Sequence, residues 1–124
     1  PKKQALYYKN YKNMLNLKGL KSLLCAIKSH KEDDFLVSFA GDGYSIGIDI
    51  QIAGRATKEI NNFTNAIIDF TNKHEGKIYL AKDEKLDKHS FQKMYPNYKT
   101  FLDLKSNFDP ENRFSSDMFQ RLME

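Results

Sequence analysis

Two lysines and one strand carry most of the chemistry these residues can offer. Lys28 closes the apolar run 22–28 on the same side as Leu24 and Ala26, and Lys82 closes the run 77–82 on the side of Ile78 and Leu80. An ammonium directed along an apolar face must reach water, pair with a carboxylate or meet the negative charge of a ligand. For a single strand-end lysine, water is the ordinary outcome. Beside them, residues 44–52 place Tyr44, Ile46, Ile48, Ile50 and Ile52 in alternation with Ser45, Gly47, Asp49 and Gln51. The first set must pack on something apolar, and the second is either wet or lines a site. Glycine weakens a strand interior, so Gly47 marks a place where a ligand or another backbone comes close.

The other reactive side chains read as structural. His30, His74 and His89 have no second histidine or carboxylate at metal-ligand spacing, and His74 near a helix end suits the helix dipole. Cys25 is the single cysteine, set in an apolar run with no adjacent cation to activate it, and reads as a buried thiol. One thiol also excludes an internal disulfide and a thiolate zinc cluster. Gly41-Asp42-Gly43 precedes a strand rather than a helix, so it reads as a turn and not as a phosphate loop. Tyr7-Tyr8-Lys9-Asn10-Tyr11-Lys12 interleaves aromatic and basic residues as single-strand nucleic-acid platforms do. The same spacing makes an amphipathic helix, the reading favoured here.

The elements that must position these groups follow from periodicity. Residues 4–15 read as a helix ending near Gly19; residues 22–28 and 35–39 read as strands, and residues 44–52 are the clearest strand. Thr57 can cap a helix to about His74 with Ile60, Phe63, Ile67 and Phe70 on one face and Gly76 as its stop. Residues 77–82 read as another strand. After it, Phe91 and Met94, then Pro96 at a helix start, then Ser115 or Ser116 as a cap, describe a helical tail. The order predicts an α+β fold: an antiparallel sheet covered by helices, with a helical C-terminal tail.

At 124 residues the chain fits one domain, expected over residues 1–124, with a core that needs no staples. No apolar run approaches the roughly 20 residues of a bilayer span. The start Pro1-Lys2-Lys3-Gln4 reads like an interior cut, and a reduced cytoplasmic location is expected. The net charge of +4 hides an asymmetry: residues 1–31 hold eight lysines and no acidic residue, and all 16 acidic residues follow. A basic end beside an acidic body implies an anionic neighbour. Three arginines are few for a reader of nucleic acid, which is not the expected partner.

The C-terminal half adds a specific resemblance. Lys77-Ile-Tyr-Leu-Ala-Lys82-Asp83, Phe91-Gln-Lys-Met-Tyr95-Pro96, Phe101, Lys105 and Phe108-Asp109-Pro110-Glu-Asn-Arg-Phe114-Ser-Ser-Asp117-Met-Phe-Gln-Arg121-Leu122 resemble, in order, the end of FAD-linked oxidases of the vanillyl-alcohol-oxidase type. Ala81-Lys82-Asp83 is most similar to the decaprenylphosphoryl-ribose oxidase branch, with aldonolactone oxidases more distant. Residues 23–28, 35–39 and 43–49 resemble substrate-domain strands of the same family.

The resemblance implies that Lys82 is a catalytic residue at flavin and substrate, that Tyr79 and Ala81 with Lys82 border the FAD, and that Lys28, Ser45, Gly47 and Asp49 face the substrate. Ser45 and Gly47 depart from the asparagine and small residue usual in that branch, so the substrate is left open. It further implies a substrate domain and tail whose FAD-binding domain or subunit lies outside these residues. The expected function is oxidation of a sugar or lipid-linked sugar hydroxyl by hydride transfer to FAD, with peripheral membrane contact and no turnover by this chain alone. The competing reading is a non-catalytic module holding an anionic polymer or membrane through residues 1–31. A third is a degenerate structural domain.

Overall fold

The computed structural model describes residues 8–13 and 22–124. Residues 8–13 are helical (α1), while Tyr7, Met14, Leu15 and Gly19, on which the wider helix was expected, lie outside the described residues, as do Lys2, Lys3, Lys18 and Lys21. Two antiparallel strands, β1 (Ser22–His30) and β2 (Gly43–Ile50), are followed by α2 (Thr57–Lys73), a 3-10 turn (Leu80–Lys82), α3 (Lys88–Met94), α4 (Tyr98–Phe108) and α5 (Asp117–Met123). The fold is α+β with an antiparallel sheet and a helical tail. The described residues form two compact units: one holds those up to 33 together with 40–64, the other 34–39 and 65–124. Among the described residues no helix is long and apolar enough to cross a membrane.

In the first unit, β1 and β2 make a two-stranded ribbon. Lys28 pairs with Ser45, Ala26 with Gly47 and Leu24 with Asp49; Cys25 pairs with Ile48 and Ile27 with Ile46. Residues directly opposite share a face. One face therefore carries Leu24, Ala26, Lys28, His30, Ser45, Gly47 and Asp49, and the other Cys25, Ile27, Tyr44, Ile46 and Ile48. The run 22–28 is not the buried strand its composition predicts, because Leu23, Leu24 and Ile27 are exposed and so is Cys25. An apolar strand is buried only where a second layer covers it. The expected extension of β2 to Ile52 stops at Ile50, and a turn follows at 53–54.

The second unit packs Ile68, Leu86, Phe91, Met94, Tyr95 and Leu122 into one core, with Val37, Phe39, Ile78 and Leu80 against it. Residues 35–39 are irregular chain with a turn at 36–37 rather than the expected strand: Val37 and Phe39 fold onto this core while Phe35 stays exposed. Asp87 caps α3 by accepting from the Ser90 amide at 2.9 Å, and hydrogen bonding from the Ser90 hydroxyl first and this amide second holds its carboxyl below the ordinary range. Ser116 caps α5 in the same way through Phe119. Asn72 ties α2 to α3 by donating Nδ2 to Ser90 Oγ at 3.0 Å.

Thr57 is the first helical residue of α2 rather than its cap. At the other end Gly76 donates its amide to Thr71 and Glu75 to Asn72, a Schellman closure. The left-handed residue in it is Glu75, with φ 56°, not the expected Gly76. A side chain there is strained, so Glu75→Gly is expected to raise stability by about 1 kcal/mol in a thermal melt.

Candidate functional site

Lys82 stands on a segment whose backbone is fixed at both ends. At the near end Tyr95, almost fully buried, donates its hydroxyl to the Ile78 carbonyl at 2.5 Å. At the far end the Asp83 side chain, 5% exposed, receives Arg121 at 2.9 Å and the amides of Lys85 and Leu86 at 3.0 and 2.8 Å. Arg121 also donates to the Leu86 carbonyl. Between these clamps the chain closes its own i→i+3 hydrogen bonds, Lys82 to Tyr79 and Asp83 to Leu80.

Those local bonds are why residues 77–82 end in a 3-10 turn, Leu80–Lys82, and do not form the expected strand. The predicted alternation survives in part, with Ile78 and Leu80 packed on the core and Tyr79 and Ala81 outside. Lys82 is exposed, and its ammonium has no partner among the described residues. Tyr79 is 46% exposed and rests on Phe39, ring centres 4.4 Å apart.

The Tyr95 phenol is pushed well above its ordinary range, first by burial and second by the charge of Asp83. It stays a protonated donor throughout neutral pH. With the folded value raised, the stability it confers is complete below about pH 10, the unfolded tyrosine value, and is lost as pH rises beyond that. Tyr95→Phe leaves the Ile78 carbonyl without this donor and is expected to cost about 1–2 kcal/mol at pH 7. It is also expected to flatten the decline in stability above pH 10, as denaturant titrations across pH would measure.

The residues expected to face substrate lie on the ribbon. Lys28, Ser45, Gly47 and Asp49 share one face, as the strand parity requires. Lys28 and Asp49 are exposed and have no partner among the described residues. Among the described residues a Cβ at Gly47 would meet only the Ala26 carbonyl at 3.9 Å, so none of them demands glycine there. The centre of the face is bare, floored by Ala26 and Gly47. His30, read from sequence as structural, also stands on this face, with Nε2 2.7 Å from Ser45 Oγ. The ribbon residues belong to the first unit, and Tyr79, Ala81 and Lys82 to the second.

Tyr95 and Arg121 belong to the resembling motifs, but nothing in the linear pattern reveals what they hold. Arg121 lies 38 residues from Asp83. Asp109 likewise organises a turn: it accepts from Lys105 at 2.6 Å and from the amides of Arg113 and Phe114. Lys105, chiefly, holds the Asp109 carboxyl below its usual range. Around it Phe101, Leu104, Phe108, Phe114, Met118 and Phe119 line an open groove of about 660 Å³, with Phe108 and Phe114 86% and 81% exposed. Among the described residues no group of His, Cys, Asp and Glu is placed to hold a metal.

The donor set can be tested against the flavin that the resemblance implies. An unpaired, exposed ammonium beside a half-exposed phenol ring fits the redox-active end of a flavin, where negative charge collects on reduction. No glycine-rich turn opening a helix, the usual cradle for a pyrophosphate, is found among the described residues. Among the described residues the groups present suit the ring end of a flavin rather than its pyrophosphate.

Comparison with known proteins identifies the family. The sequence pattern of the D-arabinono-1,4-lactone oxidase family matches residues 26–122. Decaprenylphosphoryl-beta-D-ribose oxidase of Mycolicibacterium smegmatis is 27% identical over 86 residues, covering 69% of this chain and 18% of that protein. The chain thus spans less than a fifth of that relative's length. The family match runs from β1 through α5 and takes in both the ribbon face and the clamped lysine turn, and the chain belongs to the D-arabinono-1,4-lactone oxidase family of FAD-linked oxidases.

Proposed function

We propose that the chain is the substrate-domain portion of an FAD-dependent oxidoreductase that oxidises a hydroxyl of a sugar or related alcohol. The observation that carries this reading is Lys82: a solvent-facing cation without a partner among the described residues, on a backbone fixed by Tyr95 and Arg121, in a chain of this family. When bound, FAD supplies the two-electron acceptor for the hydride of the alcohol carbon. The protein's share is positioning and charge. Lys82 stabilises negative charge on the alcohol oxygen as its proton leaves, and Tyr79 and Ala81 border the cofactor. Lys28, Ser45, Gly47 and Asp49 offer a cation, a hydroxyl, a bare floor and a carboxylate to a polyol.

An FAD-binding domain or subunit supplies the rest. A two-stranded ribbon with an exposed apolar face does not stand alone in water, and the aromatic groove of the second unit is a further surface that calls for cover. Both support such a neighbour. A cytoplasmic setting with peripheral membrane contact suits the lysine-rich start of the chain.

The test is anaerobic mixing of the full-length, flavin-loaded protein with free pentoses, pentonates and pentosyl phosphates while the flavin absorbance is followed. Bleaching by one class is expected. A flavin that stays oxidised with all of them overturns the reading.

A further inference from the structure

We propose that His30, Ser45 and Lys28 form a subsite for an anionic oxygen group of the substrate, a phosphate or a carboxylate, and that His30 determines specificity for it. The proposal rests on the substrate-domain reading above and adds a residue and a ligand class to it.

The register places Lys28 directly opposite Ser45, and His30 pairs with Gly43 one step along the same face. Opposed side chains in an antiparallel pair stand about 4.5–5.5 Å apart at Cβ, so one small ligand group can touch all three. Lys28 offers an ammonium with only donors and no partner among the described residues. The Ser45 hydroxyl can point its proton either way, and His30 decides which.

An Nε2–H donated across the 2.7 Å contact engages a lone pair of Ser45 Oγ and leaves the hydroxyl proton free to turn outward beside Lys28. In that arrangement Ser45 and Lys28 both turn donors outward, and their complement is an acceptor carrying negative charge. Asp49 is the one carboxylate on this face and lies four residues beyond Ser45, about 13 Å away. At that separation it is screened from Lys28 by physiological salt. Glu32, Asp33 and Asp42 lie in the loops beyond the last ribbon pair. The bare floor of Ala26 and Gly47 between the two ends leaves room for the sugar itself.

The test uses the full-length, flavin-loaded protein and its His30→Ala and His30→Gln variants. Inorganic phosphate and acetate are titrated separately, with binding read by isothermal calorimetry. Steady-state rates are then measured with a pentosyl phosphate, a pentonate and the neutral methyl pentoside. His30→Ala is expected to weaken one of the two anions about tenfold and to raise KM for the substrate bearing that group by the same factor. Its kcat should stay within twofold, and the methyl pentoside should lose clearly less than the charged substrate. His30→Gln keeps an N–H that reaches Ser45 and is expected to restore most of the loss. The anion that responds distinguishes phosphate from carboxylate.

Equal losses for charged and neutral substrates, unchanged anion binding in His30→Ala, or no rescue by glutamine would overturn the subsite. If the wild type oxidises none of the three while anion binding still depends on His30, the subsite stands and the sugar-oxidase reading falls.

Discussion

Lys82→Ala in the full-length, flavin-loaded protein is expected to lower kcat for sugar oxidation by about 10²–10³-fold, the usual loss when one preorganised charge-stabilising donor is removed. The side chain is exposed and makes no contact that the fold needs, so the melting midpoint should stay put, within about 0.5 kcal/mol of wild type. Lys82→Arg keeps the charge but spreads it over a planar fork, and should recover only part of the rate. Rapid mixing with substrate under anaerobic conditions separates the reductive step from any later one. An unchanged rate of flavin reduction in Lys82→Ala would remove the residue from the chemistry and leave it a solvated surface lysine. A fall in the melting midpoint equal to the wild type's own margin would instead make the loss structural.

The second large effect is expected from the clamp. Arg121→Ala leaves the Asp83 carboxylate, 5% exposed, without its cation and the Leu86 carbonyl without its donor. Removing one partner of a buried pair costs about 3–5 kcal/mol. Because Arg121 keeps some contact with water and Asp83 retains two backbone amides, about 2–4 kcal/mol is expected here, read from denaturant titration.

Asp83→Asn keeps an oxygen for the Lys85 and Leu86 amides and should cost less. The double-mutant cycle between the two positions isolates their coupling. If the clamp serves the lysine turn, Asp83→Asn should also lower kcat at a temperature where the variant remains folded. A coupling energy near zero would mean that Arg121 acts through packing alone.

How much of this was readable beforehand depends on the range of the forces involved. The helix at 57–73, the Ser116 cap and the helical tail arise within a few residues of chain, and periodicity and capping chemistry reveal them. The polar parity of Ser45, Gly47 and Asp49 was readable for the same reason, and the three do share one face. The register against β1 was not, and with it went the place of His30, because pairing is decided between segments 15 residues apart.

Residues 77–82 mislead in an instructive way. Ile78 and Leu80 alternate because both face the core, yet the backbone between them spends its hydrogen bonds on itself, on Tyr95 and on Asp83. The Arg121–Asp83 pair has no local signature at all. The run 22–28 is apolar and yet exposed, because burial depends on a covering layer that composition does not encode.

The exposure of Cys25 on the apolar side of the ribbon has a practical side. This stretch of chain contains one thiol, seated opposite Ile48 between the residues that most need a neighbour. It is a built-in footprinting probe requiring no mutation. A water-soluble maleimide will alkylate it at the rate of a free thiol wherever the face is bare, and slowly wherever another layer of the enzyme is seated there. The ratio of those two rates, followed by mass spectrometry of the peptide that carries it, reports assembly of the oxidase in real time and without reference to its catalysis.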